Sequence, residues 1–196
     1  MNDIYKIVSL YCFSPIAENK LFNLRDKLEK FEDKGLSGLI ILAEEGINGT
    51  FCGEETIVNI FHREIKIIFR DQDLNEKISF SEEKIFKKLK VKIKSEIVTM
   101  GLNDINPEIN SGIYVNSEKW NNLLTDDETV VIDTRNDYEV SLGSFDNAIN
   151  PKLKNFREFP DWLDKNLKKI TNNNENIKIA MFCTGGIRCE KATSLL

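Results

Sequence analysis

The residues best equipped for chemistry in this 196-residue chain stand together near its end, as Cys183-Thr184-Gly185-Gly186-Ile187-Arg188. A cysteine followed by two glycines and an arginine has the composition of an anion-binding loop. The glycines let successive backbone N–H groups turn inward around one point. A helix beginning after the loop, near Cys189 or Glu190, adds the positive end of its dipole, and Arg188 adds a fixed charge. All three favour the thiolate, and cysteine pKa values in such settings fall to roughly 3.5–7.5. A buried structural cysteine is common but needs none of these neighbours. Cys183 is therefore the expected nucleophile, supported by Thr184, Gly185, Gly186, Ile187 and Arg188. Cys189 can either resolve an oxidised sulfur on Cys183 or serve as a small packing residue.

Other chemistries are excluded by what is missing. The chain has a single histidine, so a zinc site built on two or three histidines is impossible, and no metal site is expected. That residue, His62, lies in NIFHREIKIIF with no catalytic partner nearby and is expected to be structural. Cys12 and Cys52 are expected on neighbouring strands as core. The formal net charge is −5, from 27 Lys and Arg against 32 Asp and Glu, so the field of the whole chain does not advertise nucleic acid. Hydrophobic residues at 41% and charged residues at 30% are ordinary for a globular protein. No apolar run approaches the roughly 20 residues needed to cross a bilayer. The opening MNDIYKIVSLYCF is too mixed in polarity for an export signal. A cytoplasmic protein with reduced cysteines is expected, with no membrane and no obligate protein partner.

The elements that must position the loop fall into two halves. In the first, Ile7 to Phe13 alternates as a strand, and Leu21, Leu24, Leu28 and Phe31 recur at helical spacing before a stop at Gly35. Gly38 to Ala43 is an apolar strand. Asn48-Gly49 is a hairpin signal, with Thr50 to Cys52 returning. Glu55 to Phe61 reads as a second helix, and Leu89, Val91 and Ile93 as the last strand. The order β-α-β-β-α-β predicts a ferredoxin-like (acylphosphatase-like) sandwich over residues 1–100. Residues 101–112, including the polar NDINPEINSG, are expected to be a linker. Over residues 113–196, Ser117 can cap a short helix. Val130 to Asp133 is a buried strand ending on a carboxylate, Trp162 to Ile170 is an amphipathic helix, and Ile177 to Phe182 is the strand that delivers Cys183. Alternating strands and helices predict a parallel α/β domain, and sites in such domains lie at the carboxyl ends of strands.

Four residues separate Cys183 from Arg188, a shorter loop than that of cysteine-type protein phosphatases. It resembles the rhodanese loop, which carries a persulfide or another small group on sulfur. Asp133-Thr134-Arg135, then Tyr138-Glu139-Val140, Gly143, Ala148 and Pro151 follow the rhodanese pattern upstream, with Gly143-Ser144-Phe145 where Gly-His-Ile is usual. Asp133 and Arg135 are expected to organise the loop by ion pairing. Taken together, AEEGINGTF, IDTRNDYEV, FREFP and MFCTGGIRCEKA resemble the rhodanese-domain tRNA uridine hydroxylases. The resemblance implies oxygen-dependent conversion of the wobble uridine (position 34) of tRNA to 5-hydroxyuridine. It also implies that the family's essential cysteine is Cys183. Molecular oxygen and an electron donor would be co-substrates, without a bound cofactor, and the tRNA anticodon stem-loop the partner. The resembled family continues well past Leu196, so a rhodanese-like domain lacking its C-terminal part is expected.

Lys88, Lys90, Lys92 and Lys94 alternate with Leu89, Val91 and Ile93, and Lys84 and Lys87 extend the run. On a strand, four ammonium groups would share one face. They can follow a phosphate backbone or guard an exposed edge against aggregation. Arg157 and Arg188 are candidates for phosphate contact nearer the thiolate. Phe156, Phe159 and Trp162 can stack a base or form core. Two other functions compete with the hydroxylase: a sulfurtransferase carrying a persulfide on Cys183, and a binding module with an unreactive loop.

Overall fold

A computed structural model describes residues 4–70, 72, 74–102, 104–174 and 176–196. The chain divides into two compact units, Met1–Ile97 and Val98–Leu196. No helix among the described residues is long and apolar enough to cross a membrane.

The first unit contains β1 (Tyr5–Phe13), α1 (Glu18–Glu29), β2 (Ser37–Ala43), β3 (Gly46–Gly53), α2 (Glu55–Ile68), β4 (Asn75–Ser81) and β5 (Leu89–Ile93). They form one sheet in the order β4-β1-β3-β2-β5. The first four strands have ferredoxin-like order and pair antiparallel, while β5 adds parallel to β2. Val58, Phe61, His62 and Ile65 bury one face of α2 at i, i+3, i+4, i+7 spacing. Phe61 meets Phe51 of β3 and Phe31 edge-on, with ring centroids 4.7 and 5.0 Å apart. His62 is structural: its Nε2 pairs with Glu76 on β4, whose other oxygen takes Lys66 Nζ at 3.0 Å. Cys12 and Cys52 are buried.

Two expectations need correction here. The strand at Leu89 to Ile93 does not close the sandwich; β4 does, and β5 is an added edge. Most of β4 is exposed, so Asn75–Ser81 carries too weak an apolar pattern to be read. The hairpin turns at Glu44-Glu45, because Ala43 pairs with Gly46, and Asn48-Gly49 lies inside β3. A Cβ on Gly49 would come within 2.5 Å of Ile40 Cδ1 and 2.7 Å of Leu39 O. The glycine thus serves close strand packing, while Asn48 Nδ2 donates to Ile97 O at 2.9 Å.

The second unit contains α3 (Pro107–Asn110), α4 (Ser117–Leu124), β6 (Thr129–Asp133), α5 (Asp137–Val140), α6 (Phe159–Ile170), β7 (Lys178–Phe182) and α7 (Ile187–Ser194). β6 and β7 pair in parallel, Asp133 opposite Phe182. Single parallel bridges, Ile132 to Ile149 and Asn136 to Leu153, lay the segment after α5 alongside them. Asn116 caps α4, accepting from Lys119 N, where Ser117 was expected. Residues 101–112 fall within this unit: α3 forms there, and Gly112 N donates to Thr193 Oγ1 at 2.8 Å. Asn103 lies outside the described residues. Phe156 and Phe159 are buried core, stacked at 5.7 Å, and Trp162 packs against them.

Candidate active site

Register places the reactive loop. With Asp133 opposite Phe182, β6 and β7 end together, and Asp133 and Cys183 emerge at the same carboxyl edge. α7 begins at Ile187, two residues before the expected start. Gly186 caps it at φ +94, a conformation that strains any L side chain. Its N–H donates to Cys183 Sγ at 3.0 Å. Gly185 differs, since a Cβ there would meet nothing within 4 Å.

Cys183 is half-buried, and its thiol is held well below the ordinary range. The largest cause is a hydrogen bond from the Cys189 thiol; burial opposes it, and the Cys189 N–H, the Arg188 charge and the Gly185 N–H reinforce it. Cys189 is pushed up in turn, because it faces the anion it stabilises. Thr134 Oγ1 lies 3.6 Å from Cys189 Sγ and 3.0 Å from Phe182 O. Cys189 therefore stands beside the thiolate as a proton-bearing donor at the first turn of α7.

Arg188 is held away from service as a free phosphate ligand. Its Nη1 and Nη2 donate to the two oxygens of Glu139 at 2.6 and 2.7 Å. Thr184 Oγ1 and Asn136 N donate to the same carboxylate, each at 3.1 Å. Arg188 foremost, these donors hold Glu139 down at about 2. Glu139 is the residue that sequence reasoning missed; its signal was a glutamate in the first turn of α5, just past Asp133-Thr134-Arg135.

A second buried pair braces the other side of the site. Asp133 is fully buried and accepts from Arg135 N at 3.1 Å, Nε at 2.9 Å and Nη2 at 2.6 Å. Ser144 Oγ, standing where histidine was expected, donates to Asp133 at 2.8 Å. Arg135 Nη2 also reaches Gly143 O at 2.6 Å, and its guanidinium lies 5.4 Å from the centre of the Phe182 ring. These contacts are structural ones, and none of them involves the sulfur.

A cavity of about 280 Å³ opens beside Cys183, walled by Tyr114, Trp120, Phe182, Gly186 and Cys189. Tyr114 OH donates to Glu190 Oε1 at 2.6 Å on its rim. Trp120 and Phe182 pack at 5.8 Å, and Phe145 meets both. The wall is largely apolar, with Ile113, Val115, Leu123 and Met181 beside the rings of Tyr114, Trp120 and Phe182. No group of three or more His, Cys, Asp or Glu side chains among the described residues can hold a metal. The four lysines of the basic run lie in the first unit, all exposed, and Arg157 is exposed on the turn Phe156–Glu158.

Two family models match: a "UPF0176 acylphosphatase like domain" over residues 5–97 and a "Rhodanese-like domain" over residues 117–196. Curated relatives match along the chain. The protein named tRNA uridine(34) hydroxylase from Legionella pneumophila (strain Corby) is 45% identical over 197 residues, covering 100% of this chain and 75% of that protein. The chain belongs to the tRNA uridine(34) hydroxylase family. Two further members come from Prochlorococcus marinus. That of subsp. pastoris is 56% identical over all of this chain, and that of strain MIT 9515 is 56% identical over 98% of it. The chain spans 63% and 62% of the length of those two proteins.

Proposed function

We propose that this protein hydroxylates the wobble uridine of tRNA at C5, using molecular oxygen, with the Cys183 thiolate as the reacting group. One observation carries the reading: the Cys183 sulfur, which accepts from the Gly186 N–H at 3.0 Å, opens onto a cavity walled in part by Tyr114, Trp120 and Phe182. Family membership supplies the substrate, because the relatives' shared name states uridine 34 of tRNA.

The chemistry follows from the thiolate. Sulfur adds to C6 of the uracil ring and leaves C5 enolate-like, open to oxidation. One oxygen atom of O₂ becomes the C5 hydroxyl and the other leaves as water, which takes two electrons and two protons from a donor. Loss of the C5 proton then expels Cys183 and restores the ring. The Cys189 thiol, which neighbours Cys183 at the first turn of α7, stabilises the departing sulfur anion. A second route places an oxidised sulfur on Cys183 itself. Trapping a covalent adduct between Cys183 and tRNA distinguishes addition at C6 from that route.

Incubation of tRNA with the protein, a reductant and isotopically heavy O₂ tests the proposal. Heavy oxygen on uridine 34 supports it. Unchanged tRNA, together with transfer of sulfur from thiosulfate to cyanide, sinks it in favour of a sulfurtransferase.

A further inference from the structure

The five-stranded sheet carries its helices α1 and α2 on one face, where Val8, Leu10, Ile40, Leu42, Phe51 and Val91 are buried. Strand register fixes what occupies the other face. Lys90, Leu39, Thr50, Ser9 and Lys77 form one row across all five strands. Lys92, Ile41, Asn48, Tyr11 and Asn75 form the next. Ser37, Cys52, Ile7 and Ser79 form a third, in which Ser37 and Cys52 are buried, as is Tyr11, so the open part of the face lies towards β5 and around Leu39 and Thr50; alternation along the chain puts Lys88 and Lys94 on the same side as Lys90 and Lys92.

The charge on this face has one sign. Glu76 is the sole carboxylate within the five strands, and it points to the helix side, against His62 and Lys66. Among the described residues, no ion pair involves Lys88, Lys90, Lys92 or Lys94. All four are exposed, as is Lys77 at the opposite edge. Between them lie the hydroxyls of Ser9 and Thr50, joined at 2.8 Å, and Leu39, 37% exposed. A chain of net charge −5 thus sets four exposed lysines, Lys88, Lys90, Lys92 and Lys94, along one sheet face.

We propose that this face binds the sugar–phosphate backbone of the tRNA. The inference rests on the functional reading above and deepens it by naming where the polymer is held. The lysines neutralise successive phosphates and release counterions. The hydroxyl row offers hydrogen bonds to ribose and phosphate oxygens, which position a strand without reading its sequence. The face therefore acts in tRNA capture, with chemistry left to Cys183.

Binding of whole tRNA is to be measured across a salt series for the wild type and a Lys90→Gln/Lys92→Gln variant. Both lysines are exposed, so the variant keeps its fold. Loss of two phosphate contacts lowers the slope of log affinity against log salt by about 1.4, and lowers affinity by about 20-fold near 0.1 M salt. Unchanged affinity and slope in the lysine variant overturn the proposal, even where the wild type hydroxylates uridine 34. New self-association of that variant with unchanged tRNA binding overturns it too, and assigns the lysines to edge protection. Lysine-dependent binding by a protein that leaves uridine 34 unmodified supports the surface and refutes the hydroxylase reading alone.

Discussion

The lowered Cys183 thiol that the proposed chemistry needs rests on donors contributed by α7 and its cap. A thiolate stabilised by the Cys189 thiol, by loop N–H groups and by the Arg188 charge persists at pH values where an ordinary thiol, near 8.5, is protonated. Alkylation of Cys183 by iodoacetamide is therefore expected to reach its plateau rate below neutral pH. Cys189→Ala removes the largest of these causes and moves the midpoint up towards the ordinary thiol range, as the same pH series will show; an unmoved midpoint assigns Cys189 to packing. The two loop glycines separate in the same assay. Gly186→Ala strains a backbone at φ +94 and costs about 1–2 kcal/mol, slowing alkylation, whereas Gly185→Ala has open space and leaves the rate unchanged. The loop itself was legible in the sequence, because cysteine, glycines and arginine are adjacent there. Glu139 and Ser144 were not, since their partners are distant along the chain: Glu139 to Arg188 spans 49 residues, and Ser144 to Asp133 spans 11.

α5 exists in order to present Glu139. It is four residues long, and that one carboxylate ties its own N-cap, Asn136, to Thr184 of the loop and Arg188 of α7. The folded protein holds Glu139 at about 2, below the ordinary 4.5. The stabilisation it gives is complete above about 4.5 and is lost as pH falls towards 2. Glu139→Gln should lower stability at neutral pH by about 2 kcal/mol, measured by denaturant unfolding, and should flatten the acid limb. The strands teach a different lesson. Asn48-Gly49 looked like a turn because its composition permits one. What decides is that β2 and β3 approach too closely at Gly49 for any side chain. Gly49→Ala is therefore expected to cost about 1–3 kcal/mol by overpacking, on the same unfolding assay. β4 escaped notice because nearly all of it is exposed, and its Glu76 is held by His62 and Lys66 rather than by apolar burial.

At the scale of the molecule, a sequence of mixed charge resolves into one unit with a cationic sheet face and another with a thiolate beside an aromatic cavity. The order of most strands and helices was readable because each carries an apolar period, β4 being the exception. The segregation of lysines from Glu76 was only half readable, because it depends on register across five strands. The central claim is that Cys183 performs chemistry on uridine 34. Nucleoside mass spectrometry of tRNA treated with the protein, oxygen and a reductant tests it most directly, comparing wild type with Cys183→Ser. The prediction is a gain of one oxygen at uridine 34 with the wild type and none with Cys183→Ser; equal gain with both proteins would contradict it.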